Sequence, residues 1–316
     1  MCHVPSVHRT LGLSLAVLCA PLAADTAPDE GVQLGPITVT ATRTEQALED
    51  VPESASVVDR TRIEQRQPQN IGDVLNDLPN VDIGGGPRGI GQTVSIRGLS
   101  DDRILFQLDG ARQNYRRAHD ARVFVEPELL RRVEVIRGPA SALWGSGAIG
   151  GVVAFETLDA ADLLAPGQTL GGRVKTGYQD VNSQWLGAAA VYGRVNDQLD
   201  FLVDIAYRDA GDTRQGDGND LENSGYERTT GLLKGTWSMD GINFFGGSYL
   251  GLREDGEVPS NPQTLTMDSN LVNRMTRQDN ATLRFHHDNP DSPYWSPSLV
   301  FYRNQTQIDE DRKIDG

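Results

Sequence analysis

Residues 110–122 gather in one short stretch side chains that could do chemistry together: Arg112, Tyr115, Arg116, Arg117, His119 and Arg122. The imidazole of His119 could offer a lone pair to a transition metal. Tyr115, four residues earlier, is a second-choice oxygen donor. The guanidinium groups could hold the carboxylates of an anionic ligand. Position alone leaves other roles open. His119 could be a solvent-exposed loop histidine, and the arginines could be solvated or paired with acidic groups of a surrounding wall. Asp200 and Asp204 are the expected partners in that second case.

Other chemistries have less support. Gly145-Ser146-Gly147-Ala148-Ile149-Gly150 matches the G-x-G-x-x-G string of dinucleotide sites. That string needs a helix opening after it, whereas Val152-Val153-Ala154-Phe155 reads as a strand. Asp212, Asp217, Asp220 and Glu222 miss the calcium-loop spacing and read as a solvated loop. No nucleophile motif or carboxylate pair is present, so the chain is not expected to be an enzyme. His3 and His8 precede an apolar run, and His286 and His287 end an alternating segment before Asp288. Both cysteines, Cys2 and Cys19, lie in the first twenty residues. Removal of that region leaves no thiol for a disulfide or a thiolate metal site.

The net charge of −15 and pI near 4.7 argue against nucleic-acid binding. Residues 11–20 are apolar, follow Arg9, and lead to Leu22-Ala23-Ala24. This is the pattern of an export signal over residues 1–24, too short to span a membrane as a helix. Residues 25–45 form a leader that contains Pro36-Ile37-Thr38-Val39-Thr40-Ala41-Thr42. Such a β-branched segment can add as a strand to a partner's sheet edge.

The elements that must position the cluster follow. Residues 46–162 are expected to be an α+β domain. Thr61-Arg62-Ile63-Glu64 reads as a capping box, and residues 71–78 as a second helix stopped by Pro79. Residues 94–96, 104–108, 133–136 and 152–155 read as strands. From 163 onward the texture changes to alternating segments: 171–178, 184–194, 199–208, 228–237, 242–251, 279–287 and 297–308. Their length, the long connections at 209–227 and 252–278, and aromatic residues near segment ends suit antiparallel strands of a transmembrane β-barrel. About seven strands cannot close round such a domain, so a longer barrel of roughly 22 strands is expected in the full-length protein.

On these motifs the sequence resembles the TonB-dependent outer-membrane receptors. Residues 37–42 resemble the TonB box. Ser95-Ile96-Arg97-Gly98, Leu108-Asp109-Gly110, Val135-Ile136-Arg137-Gly138-Pro139 and Leu143-Trp144-Gly145-Ser146-Gly147-Ala148-Ile149-Gly150-Gly151-Val152 resemble plug signatures. Gln113-Asn114-Tyr115, His119, residues 125–130, and Val153-Ala154-Phe155-Glu156-Thr157 running into residues 159–164 resemble the haem and haemoglobin receptors of that family.

The resemblance implies an α+β plug followed by the first strands of a barrel in the bacterial outer membrane. It implies haem as transported ligand with no permanently bound cofactor, the haem coming free or from haemoglobin. His119 would be an axial ligand of the haem iron, with Tyr115, Arg112 and Arg116 as further contacts. The second axial ligand would fall beyond residue 316. Ile37, Thr38, Val39, Thr40 and Ala41 would pair with the periplasmic TonB protein. The same machinery serving a ferric siderophore is the alternative.

Overall fold

A computed structural model describes residues 37–38, 46–47, 54–86, 88–264, 270–288 and 295–312. The expected export signal and residues 39–41 of the coupling segment lie outside the described residues. Two short strands, β1 (Ile37–Thr38) and β2 (Gln46–Ala47), pair antiparallel.

The α+β part follows. It comprises β3 (Ser54–Asp59), α1 (Arg60–Arg66), α2 (Ile71–Leu75), β4 (Val81–Gly84), β5 (Thr93–Ile96), β6 (Leu99–Ser100), β7 (Ile104–Leu108), β8 (Ala111–Gln113), β9 (Leu130–Arg137), α3 (Ser141–Trp144), β10 (Gly151–Thr157) and α4 (Ala160–Leu163). Five strands form a mixed sheet in the order β3-β9-β10-β7-β8, with β10 and β7 parallel. β4, β5 and β6 form a separate three-stranded sheet. Val133, Val135, Val153 and Phe155 are fully buried because the central strands are covered on both faces.

The helix cap differs from expectation. Asp59, not Thr61, caps α1 by accepting a hydrogen bond from the Arg62 amide, and Glu64 pairs with Arg60 instead of closing a capping box. An aspartate at the end of β3 reaches the first turn before Thr61 can. α2 stops at Leu75, short of the expected 78. The glycine-rich string runs from α3 into β10, as the downstream strand requires. Gly151, at φ 156°, admits no side chain, because a Cβ there would stand 2.2 Å from the Ile136 carbonyl oxygen.

A seven-stranded antiparallel sheet follows in simple meander order. Its strands are β11 (Leu170–Gln179), β12 (Gln184–Asn196), β13 (Leu199–Ala210), β16 (Tyr226–Ser238), β17 (Asn243–Pro259), β18 (Leu271–His287) and β19 (Ser298–Arg312). The pair β14 (Thr213–Arg214) and β15 (Asp220–Leu221) forms a small hairpin inside the connection from β13 to β16. All seven expected segments are strands, but β17 and β18 run well past their expected ends, which shortens the connection to residues 260–270. In this extra length Arg253, Asp255 and Glu257 alternate with buried residues such as Glu254 and Val258. Both faces then carry polar residues, and hydropathy alternation no longer marks the strand.

The faces of this sheet are inverted relative to a soluble protein. Val203, Ile205 and Tyr207 of β13 are 43–51% exposed, whereas Leu202, Asp204 and Arg208 between them are 0–3% exposed. The charged face packs on the α+β part and the apolar face points away from it, as a lipid-facing wall requires. Tyr178 packs on Trp185, and at the short-turn end Trp237 of β16 stacks on Phe245 of β17, which meets Phe285 of β18 in a tilted pair.

Candidate functional site

The segment between β8 and β9 folds as an apical loop whose backbone is fixed from both sides. The Ala121 amide donates to the Ile90 carbonyl at 2.6 Å, and the Phe124 amide to the Gln278 side chain of β18 at 3.1 Å. Asp120 is almost wholly buried and accepts from the Tyr115 hydroxyl and from Arg274 of β18, each at 2.9 Å. Arg117 bonds Glu310 of β19 at 2.7 Å, and Glu310 also holds Arg274 at 2.5 Å.

These anchors leave His119 at the tip of a turn closed by the Asp120 amide on the Arg117 carbonyl. His119 is exposed and has φ 66°, a left-handed conformation that glycine or asparagine usually takes at the third position of such a turn. Its Nδ1 lies 3.1 Å from Oε1 of Gln263, in the long connection between β17 and β18.

His119 faces an open cleft of about 550 Å³, lined also by Thr93, Asp102, Arg116, Arg117, Arg122 and Gln263. Arg116 and Arg122 both pair with Asp102 at 2.9 Å. The cleft therefore brings one imidazole together with three guanidinium groups, two of which share a single carboxylate. An anionic ligand could recruit either by displacing Asp102, since exposed pairs of this kind are weak.

The other expected site residues are placed differently. Arg112 is not among the cleft's lining residues: its backbone carbonyl accepts from Asn304 of β19, and its guanidinium packs over Gly147. Tyr115 is half-buried against Phe124, with its hydroxyl committed to Asp120. Burial first, and then the Asp120 carboxylate, push the phenol's pKa up, so it stays protonated.

The plug arginines do not pair with Asp200 and Asp204, contrary to the sequence expectation. Arg194 holds Asp200 and Arg173 holds Asp204, each at 2.9 Å. The sheet register explains both pairs. Asp200 stands directly opposite Arg194, and Asp204, Ala190 and Arg173 share one row across three strands, so Arg173 reaches over the small Ala190.

Sequence reasoning also missed Gln263, Asp102, Arg274 and Glu310. Gln263 carries no local signal, being one polar residue in a long polar connection. Arg88 was missed too. It is buried at the loop end and donates to the carbonyls of Glu222, Asn223, Pro262 and Thr264. His286 and His287 sit at the opposite end of β18 from residues 260–264. His286 stacks on Phe244, and His287 bonds Asn243 at 2.9 Å.

Residues 47–152 match the TonB-dependent Receptor Plug Domain family. The chain is 33% identical over 311 residues to a hemin receptor of Yersinia pestis, covering 95% of this chain and 46% of that protein. It superposes on the Serratia marcescens hemophore receptor HasR, determined in complex with its hemophore HasA and heme, with a TM-score of 0.73 and 25% identity. That likeness covers 83% of this chain and 39% of the other. The siderophore receptor PiuA of Acinetobacter baumannii shares the fold, with a TM-score of 0.64 and 19% identity over 84% of this chain and 38% of that one. The chain thus spans about half the length of the curated relatives it matches. A plug with these signatures, docked by its charged loops onto the inner face of an antiparallel wall that is apolar outside, places the chain in the family of TonB-dependent receptors.

Proposed function

We propose that this chain belongs to an outer-membrane receptor that captures haem at the long-loop end and passes it inward when TonB pulls on residues 37–41. The observation that carries the haem reading is His119. It is a solvent-facing imidazole on a left-handed turn, in a cleft where Arg116, Arg117 and Arg122 can meet propionates. Imidazole is an ordinary axial ligand of haem iron. The naming of the Yersinia pestis relative as a hemin receptor supports the same cargo. The apolar outward face and its aromatic clusters support residence in the outer membrane. Transport of this kind needs no covalent chemistry from the chain.

Coupling would use strand addition. Among the described residues β1 is held by β2 through two residue pairs, Ile37 with Ala47 and Thr38 with Gln46. A two-stranded ribbon is at best marginally stable by itself, and β2 can be exchanged as partner for an edge of the TonB protein.

The test uses the full-length receptor in whole cells and in detergent. Wild type should develop a haem absorbance spectrum and support growth on haem as sole iron source. Val39→Pro should bind haem normally but fail to take it up, because proline removes an amide needed for strand addition. A wild type that shows no haem spectrum yet transports a ferric siderophore would overturn the cargo assignment.

A further inference from the structure

We infer that Gln263 is the positioning residue of the site: it fixes the tautomer of His119 so that Nε2 carries the free lone pair. This rests on the reading of His119 as an axial ligand.

The Gln263 Nε2 donates to the Gly91 carbonyl at 3.0 Å. A carbonyl can only accept, so the NH2 end of Gln263 must point there. The Oε1 end therefore faces His119 Nδ1 at 3.1 Å, and it too can only accept. In a neutral imidazole one nitrogen donates and the other accepts. Nδ1 must then hold the proton, which leaves Nε2 unprotonated. A hydrogen bond from the second ring nitrogen to an oxygen is how ligating histidines are usually held and made more basic.

Gln263 is itself held in place. Its backbone amide bonds the Asn261 side chain at 3.1 Å. Neighbouring Pro262 and Thr264 accept from the buried Arg88 through their carbonyls. Gln263 thus bridges plug and outer loop beside Arg88, and Gly91 and Gly85 allow the close approach. A Cβ on Gly85 would come within 2.0 Å of the Gly91 carbonyl oxygen. The ring is held at its base as well, because the Asp120 and Ala121 amides beside it bond the carbonyls of Arg117 and Ile90.

Gln263→Met keeps side-chain length and removes both hydrogen bonds. Gln263→Glu keeps an acceptor for Nδ1. Haem-loaded full-length receptor would be compared by electron paramagnetic resonance of the ferric state, by reduction potential, and by transfer of haem to apomyoglobin. Gln263→Met should release haem roughly 10- to 100-fold faster, the usual cost of losing such a partner. Gln263→Glu should retain haem and lower its reduction potential, since an anionic acceptor makes the imidazole a stronger donor. If His119→Ala alters the wild-type spectrum but both Gln263 variants keep wild-type g values, potential and release rate, Gln263 does not position the ring. If His119→Ala leaves the wild-type spectrum unchanged, the axial-ligand reading itself fails, and the Gln263 inference falls with it.

Discussion

Arg274 and Asp120 meet at 2.9 Å with both side chains almost wholly removed from solvent. One belongs to a strand of the outer wall and the other to the plug loop that presents His119. Asp120 also accepts from Tyr115, and Arg274 also donates to Glu310, which accepts from Arg117 as well. The loop is therefore positioned by one continuous charge network and not by apolar packing alone. Breaking a buried pair from one side leaves an uncompensated charge at a cost of about 3–5 kcal/mol. Asp120→Ala should destabilise the docked plug by about 3 kcal/mol, the lower end, because Glu310 still faces Arg274. The Asp120→Leu, Arg274→Met double variant should recover most of that loss. Denaturant unfolding of the full-length receptor in detergent checks both, and additive losses would show that the two residues are uncoupled.

A second anchor makes docking sensitive to acid. Glu128 accepts from Arg60, Arg173 and Lys175 at 2.6–3.0 Å. Burial raises its pKa, but the Lys175 hydrogen bond and the Arg60 charge outweigh burial and hold it below the ordinary glutamate range. A carboxylate whose folded pKa is lowered contributes stability that is present above its unfolded pKa, about 4.3. That contribution is lost as pH falls through the folded pKa. Melting temperature should therefore fall on acidification below about pH 4.3. Glu128→Gln should be less stable than wild type at pH 7, and the difference between the two should shrink as pH drops. A gap that stays constant between pH 7 and pH 3 would mean that Glu128 contributes no pH-dependent stability.

Much of this architecture could be read from local sequence, because a strand's apolar alternation and a turn's glycine are local signals. The central strands of β11 to β19 and the descent of Gly145–Gly150 into β10 are of this kind. The upper reaches of β17 and β18 escaped because residues such as Arg253 and Asp255 stand beyond the apolar band and carry no hydropathy contrast. The candidate site divides the same way. Arg116, Arg117, His119 and Arg122 were found because they are sequence neighbours. Gln263, Arg274 and Glu310 complete the site from 140 or more positions away, through pairings that no local pattern encodes. Arg112 shows the converse: proximity in sequence did not bring it into the cleft.

The sidedness of the wall is testable, since Cys2 and Cys19 are the sequence's only cysteines. Gly216, in the connection from β13 to β16, has open space where a Cβ would stand and no left-handed backbone requirement. Met239, in the short turn after β16, is 45% exposed. Long connections are expected outside and short turns in the periplasm. An impermeant thiol reagent added to intact cells should label Gly216→Cys and spare Met239→Cys until the outer membrane is permeabilised. Labelling of Met239→Cys alone would reverse the orientation and put His119 on the wrong side for capture.

The ligation proposed for His119 can be separated from its role in folding. His119 holds φ 66°, which glycine adopts freely. His119→Gly should therefore fold at least as well as wild type, with any change of about 0.5–1 kcal/mol reflecting relief of strain against the greater entropy of an unfolded glycine. His119→Ala removes the imidazole but keeps the strain. Both should alter the haem spectrum and slow haem uptake, since neither leaves a nitrogen that could bind the iron axially. Losing a hydrogen-bond partner of a ligating histidine costs roughly 10- to 100-fold in affinity, so losing the histidine should cost at least as much. His286→Ala and His287→Ala should change neither property. They end a strand of 17 residues whose other end meets the outer loop, a span of about 50 Å at the usual strand rise. Haem titration of the four variants, with growth on haem as sole iron source, is the measurement. Wild-type spectra and growth in both His119 variants would remove the imidazole from the proposed haem site and leave recognition to the arginines of the cleft.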